Sequence, residues 1–231
     1  MHEIDPTPAT RPVPVTLEGQ YVRLVPLDAA VHARPLWEAT RGQENDGLWL
    51  YLADGPYAEY EAMYDSLEKK AAAKDVVFLA ILDPGSQQAL GYASFMRIEP
   101  AHRCMEVGNI LYTPGLQRTR AGTEAMYLMA RHAFEELGYR RYEWKCNALN
   151  AASRRAAERL GFQFEGVFRQ HMIVKGRNRD TAWFSMLDRE WPARKAAFER
   201  WLDATNFDTS GKQVRPLGTL SGSEASVQGR G

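Results

Sequence analysis

The stretch "EVGNILYTPGLQRTRAGTEAMYLMARHAF", residues 106–134, predicts a strand, a turn and a helix in immediate succession. The strand is mostly apolar up to Tyr112, and the residues Thr113-Pro114-Gly115 then favour a turn. Beyond the turn, apolar residues recur at helical spacing, and Gly138 is placed to end the helix. These apolar positions are Ala125, Met126, Met129, Ala133 and Leu137.

A polar, doubly basic segment, Gln117-Arg118-Thr119-Arg120-Ala121-Gly122, separates the turn from the helix. The first N–H groups of a helix have no internal partner, and the helix dipole adds positive charge there. The segment therefore suits an anion, phosphate above all, with a solvated pair of arginines as the alternative interpretation. The chain has neither GxGxxG nor GxxxxGK[ST], which argues against a dinucleotide enzyme or a P-loop NTPase.

The hydrophobic pattern of the whole chain predicts one mixed α/β domain. Gly108, inside the strand of residues 104–112, indicates a bulge or a close approach of backbone. Asn150 is placed to cap a helix whose apolar stripe is Ala152, Ala156 and Leu160. The other predicted strands cover 21–27, 76–82, 89–98, 139–146 and a long hairpin at 162–187, and the other helices cover 28–41, 56–73 (from Pro56) and 190–204.

Composition narrows the functional classes. The 231 residues are 45% hydrophobic, and 29 basic residues balance 29 acidic ones. Zero net charge gives no bulk attraction to nucleic acid or a membrane surface, and no apolar run approaches the roughly 18 residues of a membrane span. Cys104 and Cys146 leave a single disulfide open, but no Cys/His cluster has metal-ligand spacing. We therefore expect a cytoplasmic protein without a metal or a nucleic-acid partner.

The two ends of the chain differ from its middle. Residues 1–16 contain four prolines and predict an extended arm, since proline removes a backbone donor and fixes φ. The C-terminal residues are rich in glycine and serine, and we expect a flexible tail over 207–231. A single domain over 17–206 remains.

At this point the sequence resembles the GCN5-related N-acetyltransferase (GNAT) superfamily, in particular its ribosomal-protein N-acetyltransferase-like branch. The opening stretch, its continuation "EELGYRRYEWKCNALNAASRRAAERLGFQFEG" and the hairpin "FRQHMIVKGRNRDTAWFSML" carry the resemblance, which spans roughly residues 17–204. It implies a twisted, mostly antiparallel sheet of about seven strands with a splayed parallel pair, flanked by helices. It also implies acetyl-CoA as cosubstrate and direct transfer of acetyl to an amine in a ternary complex.

The resemblance assigns cofactor contacts residue by residue. The pyrophosphate loop of the family, Q/R-x-x-G-x-G/A, corresponds to 117–122, with Arg120 in place of its first glycine; we expect Arg120 to contact a phosphate. Asn150 and Ser153 match residues near the pantetheine and thiol end. The full expected cofactor set is Ile110, Leu111, Gln117, Arg118, Thr119, Arg120, Ala121, Gly122, Thr123, Asn150 and Ser153.

The expected catalytic groups are Glu106, Gly108, Asn109 and Ser153. A backbone N–H between Val107 and Ile110 would stabilise the oxyanion of acyl transfer. Glu106 in its E-x-G context is the candidate base, with a purely structural carboxylate as the alternative. The tyrosine acid of many relatives is Ala157 here, which leaves Ser153 or solvent to protonate the thiolate.

Other residues are weaker candidates for these steps. Asn109 is also a possible base, as are His102 and His171, whereas Cys146 is interpreted as a small buried residue rather than a nucleophile.

The acceptor side is less specific in sequence. Residues 46–64 are rich in tryptophan, tyrosine and carboxylates, including Asp54, and we expect Trp49 and Tyr51 to line a pocket for a cationic amine. The acceptor is expected to be a small molecule or a peptide N-terminus, and the protein a monomer or a homodimer. A silent acyl-CoA-binding module and a transferase of another acyl group are the rival hypotheses.

Overall fold

The computed structural model describes residues 5–220, in which eight strands form one sheet in the order β1-β2-β3-β4-β5-β6-β8-β7. All neighbouring strands are antiparallel except β5 and β6, which are parallel. The eighth strand, beyond the seven expected, is the two-residue β1. The strands are β1 Leu17–Glu18, β2 Arg23–Pro26, β3 Val77–Leu82, β4 Ala89–Glu99, β5 Cys104–Tyr112, β6 Arg141–Asn147, β7 Gln163–Val174 and β8 Arg177–Leu187.

Helices cover both faces of this sheet and form two apolar cores. On one face, α3 and α5 pack against side chains such as Phe95 and Met105. On the other face, α1 and α2 pack against Phe78 and Tyr92. The helices are α1 Ala29–Thr40, α2 Tyr60–Ala71, α3 Arg120–Arg131, α4 Ala151–Arg159, α5 Trp191–Leu202 and the short α6 Leu217–Leu220, with a π-helical turn at His132–Glu136 after α3.

The parallel pair separates half-way along β5. It is paired from Cys104 opposite Arg141 to Val107 opposite Trp144, and no further pairing of the two strands occurs in the described chain. Beyond that point β5 stays paired with β4, while β6 stays paired with β8. The splayed parallel pair expected from the sequence is therefore present, and it leaves a gap in the middle of the sheet.

A bulge in β5 lies at the point of separation, as the glycine in this strand indicated. Two residues, Asn109 and Ile110, face the single Ala93 of β4. The residue in the left-handed conformation is Asn109, at φ 51°, and asparagine tolerates that region better than most side chains. Gly108 makes room for a side chain: a Cβ there would lie 2.5 Å from Met96 Sδ, so the Met96 thioether would have to shift.

Three local predictions differ from the structure. Helix α2 begins at Tyr60, not Pro56, because the chain is still extended at Glu59, the residue that precedes the helix. In the predicted stripe of α4, Leu160 is buried and Ala156 packs against the core, but Ala152 is exposed and Ala157 is buried in its place. The β7–β8 hairpin was predicted to turn over Gly176-Arg177-Asn178-Arg179, but it turns at Lys175-Gly176, both at positive φ, and β8 begins at Arg177.

The terminal segments pack partly on the domain. In the N-terminal arm, the Ala9 and Thr10 amides donate to the carbonyls of Pro100 and Leu137 at 3.0 and 2.9 Å. In the segment assigned to the C-terminal tail, residues 207–220 fold back on α5, and Leu217 is buried. The remainder of that tail, 221–231, and residues 1–4 lie outside the described residues.

Candidate active site

The gap between β5 and β6 has a polar side and an apolar side. Along a strand, side chains alternate between the two faces of the sheet. Met105 and Trp144 therefore point into the α3/α5 core, whereas Glu106 and Lys145 point to the opposite face. On the polar face these two side chains meet just before the strands separate.

Glu106 is a buried carboxylate, only 4% exposed. Its Oε2 atom lies 3.0 Å from Lys145 Nζ and 3.0 Å from Arg97 Nε, although neither contact has good hydrogen-bond geometry. Burial raises the pKa of Glu106, and Lys145 and Arg97 oppose that rise. Glu106 is thus a carboxylate with a raised pKa at the edge of the gap, which is what a proton acceptor near neutral pH requires.

Glu106 belongs to a chain of alternating charges whose side chains come from the four strands β4, β5, β6 and β7. Lys145 Nζ donates to Glu143 at 2.6 Å, and Arg141 Nε donates to the other oxygen of Glu143 at 2.6 Å. Arg141 also makes a bidentate pair with Glu165 of β7. The ladder, defined as Arg97, Glu106, Lys145, Glu143, Arg141 and Glu165, holds the Glu106 and Lys145 side chains in fixed positions.

Aromatic side chains of the hairpin lie beside the ladder. The Trp183 ring is 3.9 Å from Lys145 Nζ and 4.5 Å, centroid to centroid, from Phe168. A wide irregularity in β7, between Phe168 and Met172, brings His171 to the same face, where its Nδ1 lies 2.9 Å from the Thr181 hydroxyl. Burial lowers the pKa of His171, and the charges of Arg97, Arg179 and Lys145 lower it further, so the ring is neutral at pH 7.

The expected phosphate loop has the geometry of a capped helix start. The Thr119 hydroxyl accepts from the Gly122 amide at 3.0 Å, which leaves the Arg120 and Ala121 amides without intrahelical acceptors. Gly122 is packed tightly, since a Cβ would lie 2.8 Å from the Leu116 carbonyl oxygen. The residue at positive φ is Arg118, at 60°, so the missing glycine at position 120 places no strain on the turn.

The side chain of Arg120 is oriented differently from our expectation. Its guanidinium lies 3.5 Å from the Phe207 ring centroid and 4.5 Å from that of Tyr21. These cation–π contacts tie α3 to the segment after α5 and to the start of β2. In this conformation Arg120 acts as a packing residue. Of the other loop residues, Gln117 and Arg118 are exposed, and Thr123 accepts a hydrogen bond from Arg159 at 3.1 Å.

The second expected cofactor element is the start of α4, on the apolar side of the gap. Asn150 caps the helix, as predicted, by accepting from the Ser153 amide at 3.0 Å. The Ser153 hydroxyl accepts from Trp144 Nε1 at 2.9 Å. Burial raises the pKa of Cys146, and a hydrogen bond with Ser153 opposes only part of that rise. The thiol is therefore not an activated nucleophile. Ser153 and Glu106 thus lie on opposite sides of the sheet.

The loop after α1 covers the end of the sheet. Tyr51 donates to the Leu149 carbonyl at 3.2 Å, just before α4, and Lys175 Nζ donates to the carbonyls of Trp49, Asp54 and Gly55 at 2.7–2.9 Å. The Trp49 ring itself is buried in the α1/α2 core, so it does not line an open pocket. The Asp54 carboxylate is paired with Lys70 and is not free for a cationic acceptor.

The remaining candidates are placed as follows. His102 is exposed in the 3-10 turn before β5, at the opposite end of that strand from the gap. Ile110 is half-buried at the bulge, whereas the Leu111 side chain packs into the α1/α2 core. The Asn109 amide donates to Ser94 Oγ at 3.0 Å and thereby fixes the bulge.

Residues 5–220 also bear on the expectations for cysteines, metals and membranes. Cys104 and Cys146 are both free thiols. No group of three or more histidine, cysteine, aspartate or glutamate side chains in this range has a metal-binding arrangement. No helix in it has the length and apolarity needed to cross a membrane.

Sequence reasoning missed Arg97, Lys145, Arg179 and Trp183. A partial signal existed, because "YEWKC" alternates so that Glu143 and Lys145 share a polar face. Nothing in the sequence indicated that this face would meet Glu106, since the register of a parallel pair depends on tertiary packing.

With this geometry established, comparison with known proteins identifies the class. The family model of the acetyltransferase (GNAT) domain matches residues 22–163, more than half of the chain. The chain therefore belongs to the GCN5-related N-acetyltransferase family, which confirms the resemblance seen in the sequence and makes the protein an N-acetyltransferase. Members of this family generally use acetyl-CoA as cosubstrate.

Particular relatives agree with this placement. A GCN5-related N-acetyltransferase from Brucella melitensis is 45% identical, with a TM-score of 0.91 and coverage of 93% of this chain and 97% of that one. A probable GNAT acetyltransferase from Chromobacterium violaceum is 43% identical, with a TM-score of 0.75 and coverage of 80% and 92%. The protein named "Putative ribosomal N-acetyltransferase YdaF" from Bacillus subtilis is 28% identical over 160 residues, 67% of this chain and 85% of YdaF.

Proposed function

We propose that the protein transfers acetyl from acetyl-CoA directly to a primary amine, with both substrates bound in the gap between β5 and β6. The observation that carries the proposal is the separation of these strands after Val107 and Trp144, directly beside the buried Glu106. Beyond that point each strand has, within residues 5–220, an edge without a partner strand, and these edges can pair with an extended arm that contains amide groups. A carboxylate with a raised pKa at the same point supplies a proton acceptor.

The residues at the gap fit acetyl-CoA. The free Arg120 and Ala121 amides at the start of α3 would hold its pyrophosphate, together with the positive end of the helix dipole. The unpaired edge of β5 over Gly108–Ile110 would bond the pantetheine arm and the acetyl carbonyl. Bound there, acetyl-CoA supplies an activated acyl group whose leaving group is a thiolate.

The protein's own residues then handle the protons. Glu106 accepts the proton of the acceptor ammonium, because its raised pKa makes it a stronger base than an exposed glutamate. Lys145 and Arg97 hold that carboxylate in place. The Ser153 hydroxyl, on the other side of the gap, donates toward the departing thiolate while Trp144 Nε1 positions its oxygen.

The acceptor is an amine-bearing small molecule or the N-terminus of a peptide. YdaF carries a ribosomal N-acetyltransferase name, which supports including peptide N-termini among the acceptors. Tyr51 and the Lys175 contacts enclose the acceptor side, since they tie the loop of residues 49–55 to both the β6–α4 loop and the hairpin tip.

Calorimetric titration with acetyl-CoA and with free CoA tests the cofactor site. The informative variant is Ala121→Glu, which puts a carboxylate at the second position of α3, where the phosphate is expected. Its matched control is Ala30→Glu, at the second position of α1, an exposed site outside the gap. Glutamate near a helix start interacts favourably with the helix dipole in both variants. Ala121, unlike Ala30, packs partly against the apolar core, so the melting temperature of each variant is measured before its binding is compared. A Gly122 substitution would be ambiguous because of its tight packing.

We expect the wild-type protein to bind acetyl-CoA. Ala121→Glu should weaken the affinity by about tenfold or more, and Ala30→Glu should leave it unchanged. Thiol release on addition of amines and peptides then tests transfer. Binding without turnover on any amine would favour the silent acyl-CoA-binding module. Absence of binding by folded wild-type protein would exclude the proposed cofactor site.

A further inference from the structure

The Arg179 guanidinium, on the same face of the sheet as Glu106, lacks a carboxylate partner. Its Nε donates to the buried Thr181 hydroxyl at 3.2 Å. Across residues 5–220, no carboxylate oxygen lies within the 4.0 Å that defines an ion pair with it. Burial lowers the pKa of Arg179, whereas the nearby Glu106 raises it and Arg97 lowers it further. Arg179 is therefore a half-buried cation close to the expected base.

The neighbouring charges are already balanced without Arg179. The ladder contains three carboxylates and three cations, each in contact with an opposite charge. No carboxylate of the ladder is left to neutralise a seventh side chain. Within residues 5–220 the positive charge of Arg179 therefore has no ion-pair partner of its own, and Glu106 is a nearby carboxylate already paired with Lys145 and Arg97.

The guanidinium is also held in one orientation. Thr181 Oγ1 contacts both Arg179 Nε and His171 Nδ1, at 3.2 and 2.9 Å, so a buried hydroxyl anchors one edge of the guanidinium. The two terminal nitrogens stay available. An arginine with free terminal nitrogens binds a carboxylate through two parallel hydrogen bonds, and the gain is largest where water is partly excluded.

We propose that Arg179 binds a carboxylate of the acceptor, next to the amine that is acetylated. The inference rests on the proposed function, because it places the ammonium of the acceptor at Glu106. Two sources present the same chemistry: the α-carboxylate of an amino acid and the side-chain carboxylate of the second residue of a peptide. A bound carboxylate would remove the charge imbalance around Arg179.

Pairs of acceptors with and without the carboxylate test the proposal, with rates compared at equal concentrations of free amine because an α-amide lowers the pKa of the neighbouring ammonium. For the first source the pairs are alanine with alaninamide and serine with serinamide. For the second source the pair is alanyl-aspartyl amide with alanyl-asparaginyl amide. Thiol release from acetyl-CoA is measured for the wild-type protein, for Arg179→Gln and for Arg189→Gln, which removes an exposed arginine from the turn after β8.

We expect the wild-type protein to prefer the carboxylate member of at least one source. Arg179→Gln should lower kcat/KM for that member by about 30-fold or more, with the amide member within threefold of wild type. Arg189→Gln should match wild type on both. Equal rates for acid and amide in every pair, or an equal loss on both in Arg179→Gln, would overturn the proposal.

A measurement without turnover separates this proposal from the proposed function. In 15N-labelled protein, the Nε–Hε signal of Arg179 is assigned by its disappearance in Arg179→Gln and followed during titration with the same compounds, with and without CoA. A shift caused by the acid members alone supports the carboxylate site, even if no acetyl transfer occurs and the proposed function fails. No shift with any carboxylate would count against the site, even if amides are acetylated.

Discussion

On one face of β5 and β6, Met105 and Trp144 are packed into the α3/α5 core, while on the other face Glu106 and Lys145 form a buried ion pair. These residues are direct neighbours along the same two strands. On the apolar face, removal of hydrocarbon from water stabilises the folded state. On the polar face, burial of charge costs part of that stability, even though the charges are paired.

The comparison shows how the protein separates stability from chemistry. Substitutions on the apolar face should change the free energy of unfolding, and those on the polar face should change turnover. A single strand pair can serve both purposes because alternation places adjacent side chains on opposite sides of the sheet.

The largest expected effect is that of Glu106→Gln on turnover. Removal of a general base lowers kcat/KM by about 10²–10⁴-fold. Because the substitution also removes a carboxylate partner of the buried Lys145, turnover is measured at a temperature where the variant stays folded. Steady-state thiol release with a fixed acceptor measures the loss. Glu143→Gln is the comparator, since it disturbs the same ladder without touching the gap. If both variants lose activity equally, Glu106 is a structural carboxylate.

The next effect is that of Met105→Ala on stability. Met105 is fully buried, so this truncation should lower the free energy of unfolding by about 2–5 kcal/mol. Urea denaturation followed by tryptophan fluorescence gives the value. At a temperature where the variant stays folded, kcat/KM should remain within a few-fold of wild type. A loss of turnover as large as that of Glu106→Gln would show that the two faces are coupled.

The smallest effect is a shift in the pH dependence. Glu106 must be ionised to accept a proton, and burial raises its pKa, so activity should rise with pH until that raised pKa is passed. Lys145 opposes the rise, and Lys145→Met should therefore move the rising limb to higher pH. The matched control, Lys195→Met, removes a lysine paired with Glu135 away from the site. An unshifted limb, or a shift to lower pH, would contradict the assignment of Glu106 as the group that titrates.

The helices, the strands and the family were largely predictable, because each depends on local pattern. The run over 104–112 predicted β5 with its observed limits, and Asn150 predicted the cap of α4. The stripe of α4 was right for Ala156 and Leu160 but included the exposed Ala152 instead of the buried Ala157, since alanines occupy several faces of that helix and do not reveal which one is buried.

The site was predictable only in part. Glu106, Ser153 and the loop of residues 117–122 stand out as motifs. Glu106 lies on β5 just before the gap, and the Ser153 hydroxyl contacts Trp144 of β6. The packing of Arg120 against Tyr21 and Phe207 could not be predicted, because these aromatic partners are distant in sequence. Trp49 was misjudged because an aromatic side chain suits a core as well as a pocket.

The sequence by itself determined the order of the elements, the bulge in β5, the capped helix starts and membership of the acetyltransferase family. Periodicity, glycine and capping residues act over a few positions, so they can be recognised without a fold. Only the tertiary structure decided that Lys145 and Arg97 hold Glu106 and that Arg179 is left without a counter-charge. Those relations join strands far apart in the chain, and the register of the sheet sets them.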